Sequence, residues 1–199
     1  MSVRLRLVSL WMPHFLMARE IRRIGSSTDS ALDSLLALYA LEALMGDREE
    51  PGRGLEGQRE SMARNHERKV RTLIESVGRE RAISLGREAL FRSGHTMGEE
   101  AKRRLGVKDT VSDLLRAAGV LYRILGIEFI VVDGPGGKRI EVSRCALSQH
   151  YSEETCIILS AMDEGAVSGL SPGTVLLFQK RFTDGSSKCV ARIDFGEGR

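Results

Sequence analysis

Hydrophobic positions change their spacing once along this chain. Over residues 29–125 they recur every three or four positions, as one face of a helix requires. Leu35, Leu36, Tyr39, Ala40 and Ala43 form a first stripe, for which Asp29 or Ser30 serves as cap and Gly46 as stop. The polar, glycine-rich tract 47–58 then reads as an exposed loop or partly disordered linker. A second stripe starts near Glu60 with Val70, Leu73, Ile74 and Val77, and continues or breaks at Gly78 before Ala82, Leu85, Ala89 and Leu90. Gly94 is its expected stop, and a short helix over 96–105 ends at Gly106. Thr110-Val111-Ser112-Asp113 has the form of a capping box ahead of Leu114, Leu115, Ala118, Leu121 and Tyr122, with Gly126 closing that helix.

After Gly126 the period drops to that of strands. Residues 127–132 are rich in branched side chains, Gly134-Pro135-Gly136-Gly137 reads as a turn, and 138–143 as the returning strand. Ser152, followed by Glu153 and Glu154, caps a further helix, since carboxylates suit a helix N-terminus. Residues 174–182 and 188–195 pair as a hairpin turned at Asp184-Gly185. The expected class is α+β: an N-terminal helical layer over 29–125, packed on an antiparallel four-stranded sheet with the succession β-β-α-β-β over 126–199.

Residues 1–28 read as an amphipathic arm ahead of one α+β domain, 29–199. The apolar run 7–18 is too short to span a bilayer, which takes ~20 apolar residues. Pro13 and His14 interrupt it and no small-residue cleavage site follows, so it is not a secretory signal. Leu10, Trp11, Phe15 and Leu16 predict a homodimer contact, with a membrane surface as the second reading. The net charge of +3 comes from bases interspersed with acids, which does not indicate a nucleic-acid groove.

Chemistry concentrates in the β-rich segment, which holds the chain's 3 cysteines, Cys145, Cys156 and Cys189. An odd number without a secretory signal points to reduced thiols and a cytoplasmic protein. In the last strand Cys189, Ala191 and Ile193 share a face opposite Lys188 and Arg192, so Cys189 points inward. Cys156 falls on the stripe of its helix that contains Leu159 and Met162, and both thiols suit core packing as well as a site. Cys145 lies just beyond a strand, five residues before His150, and reads as nucleophile, metal ligand or pocket wall. His150 with Tyr151 suits a surface cap equally well. Arg144 and Arg181 are candidates to clamp a ligand carboxylate, and charged strand ends are also commonly just solvated. His14, His66 and His95 show no ligand spacing.

The strand ending in Cys145-Ala146-Leu147, the helix with Cys156, the hairpin 183–193 and the helix end 87–94 together resemble the L-2-amino-thiazoline-4-carboxylic acid hydrolase-like proteins. These are related to 4-vinyl-reductase-type small-molecule-binding domains, some of which bind zinc. The resemblance implies a pocket that opens a C–N or C–S ring in a thiazoline carboxylate, with Cys145 and His150 catalytic and Arg144, Arg181 and Cys156 on the ligand. A zinc ion would draw on Cys145, Cys156, Cys189 and His150, because Arg181 stands where the relatives carry a further cysteine; Asp163 is another available donor. Two other functions fit the same residues. One is a non-catalytic pocket for a hydrocarbon or tetrapyrrole-like small-molecule ligand, and the other a structural or regulatory subunit.

Overall fold

The computed structural model describes residues 2–39, 41, 52–134 and 137–196. Among these residues six α-helices and four strands succeed one another: α1 (Val3–Leu10), α2 (His14–Leu38), α3 (Gly54–Val77), α4 (Arg79–Leu105), α5 (Val111–Leu125), β1 (Ile127–Gly134), β2 (Gly137–Cys145), α6 (Glu153–Leu170), β3 (Val175–Lys180) and β4 (Cys189–Asp194). The strands form one antiparallel sheet, so the mixed α+β class read from the periodicity is correct. Its spatial order is β1-β2-β4-β3: the second hairpin joins the first through its last strand, an order that the succession β-β-α-β-β does not state. The turn residues Pro135 and Gly136, and the expected helix stop at Gly46, lie outside the described residues.

Both predicted helix starts are capped by the expected hydroxyl, although at α5 the Asp113 carboxylate accepts from the Lys108 N–H at 3.1 Å while the Thr110 N–H donates to the Lys108 carbonyl. Thr110 Oγ1 accepts from the Asp113 N–H at 3.3 Å and Gly126 ends α5 in the left-handed conformation at φ 71°. Ser152 Oγ accepts from the Thr155 N–H at 3.2 Å, and Glu67 of α3 accepts both the Ser152 N–H and its hydroxyl, which ties the start of α6 to α3. Arg59 of α3 donates to the carbonyls of Arg123 and Ile124, satisfying acceptors that the end of α5 leaves open.

Three boundaries differ from the sequence reading. Helix α2 runs through Asp29 and Ser30, and its buried positions, Met17, Ile21, Ile24, Leu32, Leu35 and Leu36, continue from the expected arm into the expected body. The apolar stripe before residue 29 is in phase with the one after it, and an i, i+4 continuation outweighs a capping residue in mid-helix. Asp29 instead accepts from Lys69 Nζ at 2.8 Å, a buried lysine that also meets Asp33 at 2.6 Å. Helix α3 already begins at Gly54, inside the tract read as a loop. The third difference is Gly94, which stops nothing: α4 is one helix from Arg79 to Leu105.

Gly94 is present for a different reason. A Cβ there would be driven into the Met162 carbonyl oxygen, and one at Gly98 into that of Ala166. The arrangement is reciprocal, since Gly165 and Gly169 of α6 lie against the carbonyls of Phe91 and His95. Two glycines spaced by four on each helix thus bring the backbones of α4 and α6 together without intervening side chains. Arg87 flanks the crossing, donating to the Ile157 carbonyl at 3.0 Å and to Glu164 at 2.7 Å.

Helix α6 therefore joins two cores. Its Val167 and Leu170 pack with Leu114, Tyr122 and the inner sheet residues Ile140, Val142, Leu176, Ala191 and Ile193. Its Ile158, Ala161 and Met162 pack with Leu32, Val70 and Leu90 of α2, α3 and α4. The layers are consequently more interleaved than a helical half laid on a sheet half, because a helix from the second half lies between the strands and α4.

The crossing predicts opposite outcomes for one substitution at two helical glycines. Gly165→Ala is expected to destabilise by about 1–3 kcal/mol, the usual cost of overpacking. Gly119→Ala, in α5 where an added methyl meets nothing within 4 Å, is expected to stabilise by about 0.5–1 kcal/mol through helix propensity. Urea unfolding of both variants beside the parent checks the pair, and equal shifts would refute the close-approach account.

Candidate functional site

The space left between α6, α5 and the inner face of the sheet is a pocket of about 110 Å³. Strand β2 delivers Cys145 at its end, α6 delivers Cys156 and Asp163, and β4 delivers Cys189 from its inner face, so all 3 free thiols line one cavity. Most of the remaining wall is aliphatic or aromatic, including Ile24, Leu121, Leu125, Val142, Met162 and Phe178. A second apolar cavity of about 230 Å³ lies between the α1–α2 corner and helices α4 and α5. The two share Ile24, Met97, Leu121 and Ala166 as walls. Of these Met97 has the most flexible side chain.

Low dielectric sets the ionisation of every polar group on the wall. Burial pushes the Cys145 thiol up, with the backbone N–H groups of Leu147 and Ser148 and the Ser148 hydroxyl pulling it back. Burial likewise raises Cys156, against the Thr183 hydroxyl and Arg181, and raises Cys189 to about 11, against the Phe182 N–H that donates to its sulfur at 3.3 Å. All three are therefore thiols at neutral pH, and thiolate chemistry is not set up in advance. Asp163 is raised to about 7 by burial and then by Glu164, with the Tyr122 hydroxyl 3.4 Å from its Oδ2 acting in the other direction. His66 shares a 3.1 Å hydrogen bond with the Tyr151 hydroxyl and is lowered to about 4, mainly by burial.

The other residues singled out from the sequence lie elsewhere. His150 is not on the pocket wall, and its Nε2 lies 3.1 Å from Gln149 Nε2. Arg144 is exposed and paired with Glu128 at 3.1 Å. Strand β3 stops at Lys180, so Arg181 leads the following turn, donates to Ser160 at 3.0 Å and covers the Phe178 ring at 5.2 Å from its centroid. Among the described residues no three His, Cys, Asp or Glu side chains are gathered closely enough to hold a metal ion. That overturns the zinc expectation for Cys145, Cys156, Cys189 and His150: the thiols share a cavity without sharing a point.

His66 was passed over in the sequence, although a signal was there. Ala63, His66, Val70 and Leu73 stand at i, i+3, i+7 and i+10 and all are buried, so the histidine lies on the apolar stripe of α3.

No family model matches the chain, and no curated protein does. Its fold is similar to that of a trafficking protein particle complex subunit 3 from Naegleria fowleri, solved covalently bound to palmitic acid. The TM-score is 0.52 at 16% sequence identity, over 70% of this chain and 95% of that one. The likeness is one of fold. It overturns the resemblance to the thiazoline-carboxylate hydrolase-like family and the ring-opening activity that came with it, because the solved protein whose fold this chain shares is a trafficking-complex subunit.

Asp163 and His66 give the pocket a stability signature. Unfolded, Asp163 would ionise near 3.8, whereas in place it stays protonated up to about 7, so its contribution is lost as pH rises across that window. His66 has the opposite sign: the unfolded chain takes a proton below its ordinary 6.5 and the folded one only below about 4, so stability falls as pH falls between the two. The two slopes largely cancel in the parent. Asp163→Asn, which mimics the protonated acid, is expected to be more stable than the parent at pH 7.5 by a few kcal/mol, at roughly 1.4 kcal/mol per pH unit of window. That gap should close toward pH 4, and melting temperatures across pH 4–8 check it; a constant gap would mean that Asp163 is ionised throughout.

Proposed function

We propose that this protein is a non-enzymatic subunit of a multi-protein assembly whose cysteine-lined pocket holds a saturated acyl chain, with Cys145 as the point of attachment. The observation that carries the reading is that three thiols open on one apolar cavity between α5, α6 and the sheet. The solved protein of similar fold is covalently bound to palmitic acid, and nearly its whole length is covered by the likeness.

Cys145 is the best suited of the three. It stands on the pocket wall at the end of β2, beside the turn that leads to α6, and is only partly buried. Cys189 is buried and its sulfur is already engaged by Phe182. An aliphatic chain would occupy the cavity beside Leu121 and Met162 and, with Met97 turned aside, extend into the larger one. Nothing in such a role requires an acid–base partner beside the thiol, which agrees with the position of His150 away from the wall. Partner contacts suit the sheet edges, where Ile130 of β1 and Val175 and Leu177 of β3 leave apolar side chains exposed.

Incubation of the full chain with palmitoyl-coenzyme A, read by intact mass, tests the reading. The expected result is a single palmitoyl increment that neutral hydroxylamine removes, absent in Cys145→Ser and retained in Cys156→Ser and Cys189→Ser. The latter two are expected mainly to lower the melting temperature, since a hydroxyl without a partner in a core costs about 1–3 kcal/mol. No increment, or steady release of free palmitate, would overturn attachment or the non-enzymatic reading respectively.

A further inference from the structure

Helix α1 turns its apolar stripe away from the protein. Its orientation is fixed by the body: Leu5 is fully buried beside Val107 and Leu114, Ser2 caps the helix and donates to the Leu105 carbonyl, and Arg123 donates to the carbonyls of Val8 and Ser9. The side left outward nevertheless carries Val3, Leu7 and Leu10 at i, i+4 and i+7, with exposures of 74%, 62% and 72%. Trp11 and Phe15 continue it around the corner into α2, at 73% and 70%. A helix that only covered a core would be polar on that side. Contiguous apolar surface of this kind marks a contact.

The charges around it identify the partner. The first 24 residues contain five arginines and one acid, Glu20. Arg4, Arg6, Arg19 and Arg22 are exposed beside the apolar tip, whereas Glu20 is turned toward Arg19, Arg23 and Arg104. Arg6 and Arg22 have no carboxylate partner among the described residues. An apolar tip with a tryptophan and a phenylalanine, ringed by guanidinium groups, matches the boundary of an anionic bilayer, where the rings lie at headgroup level and the arginines meet phosphates. A second copy of this chain fits less well, because the self-contact would set the arginine ring against itself. We infer that the α1–α2 corner docks this protein on an anionic lipid surface.

Trp11 is the chain's only tryptophan, so intrinsic fluorescence reports on this corner alone. The full chain is titrated with vesicles of phosphatidylcholine, and with vesicles containing about one-third phosphatidylserine, the anionic component. The inference expects a blue shift and co-flotation with the anionic vesicles only, weakened by added salt. Affinity should fall by at least about tenfold in Leu7→Glu/Leu10→Glu, from lost apolar burial, and in Arg4→Gln/Arg6→Gln/Arg22→Gln, from lost charge. These sites are exposed, and circular dichroism verifies that the variants keep their fold. Absence of a shift with the parent chain, or equal binding to both vesicles, would overturn the inference. So would a blue shift that grows with protein concentration without lipid while the light-scattering mass doubles, which would assign the corner to a second copy.

Discussion

The backbone-to-backbone crossing of α4 and α6 is the constraint on which the rest of this structure depends. Side chains normally hold packed helices 8–10 Å apart. Here Gly94 and Gly98 on one helix and Gly165 and Gly169 on the other remove the spacers, and each glycine lies against a carbonyl of the opposite helix. Because α6 is set by this contact, its other surface falls at a fixed depth over the sheet. The depth decides that Cys156, Asp163 and Met162 border a cavity instead of filling it. A wider crossing would press α6 onto β3 and β4 and leave no room for a chain of any kind.

Seen from the pocket, the helical half supplies polarity control more than catalytic equipment. Helix α3 brings His66 and α5 brings Tyr122, each hydrogen-bonded to one partner, Tyr151 and Asp163, so the interior holds polar atoms and, below about pH 7 where Asp163 keeps its proton, little free charge. Thiols kept protonated by burial add to the same character. An interior of this kind favours an uncharged, flexible occupant over a carboxylate that would need an arginine. The two arginines that the sequence offered for that purpose are committed elsewhere, Arg144 to Glu128 and Arg181 to Ser160 and Phe178.

What was legible in the sequence was local. The caps at Thr110 and Ser152, the closing Gly126, the strand pairs and the inward turn of Cys189 all follow from rules that act within one element. The convergence of the thiols was legible as a direction but not as a distance, and the distance is what separates a metal site from a shared wall. Gly94 misled because a glycine that ends a helix and a glycine that admits another helix are the same letter. Only the spacing by four, repeated in both helices, distinguishes them, and it gains meaning only when the partner is known. Asp29 misled similarly: the residue read as a cap is the ion-pair partner of the buried Lys69, between α2 and α3. The function carried by a family resemblance failed because a fold does not carry one reaction with it: the solved protein of similar fold is a trafficking-complex subunit.

The sheet's strand order also has a kinetic meaning. Each hairpin closes over a short stretch, but the seam between them pairs Val142 of β2 with Cys189 of β4, 47 positions apart, across the whole of α6. Loop closure over that length is slow compared with forming either hairpin. The seam is thus the longest-range pairing in the sheet, and it joins the strand that ends at Cys145 to the strand that begins at Cys189. Because both of those cysteines line the cavity, the sheet side of the pocket wall exists only once this one long-range pairing is made.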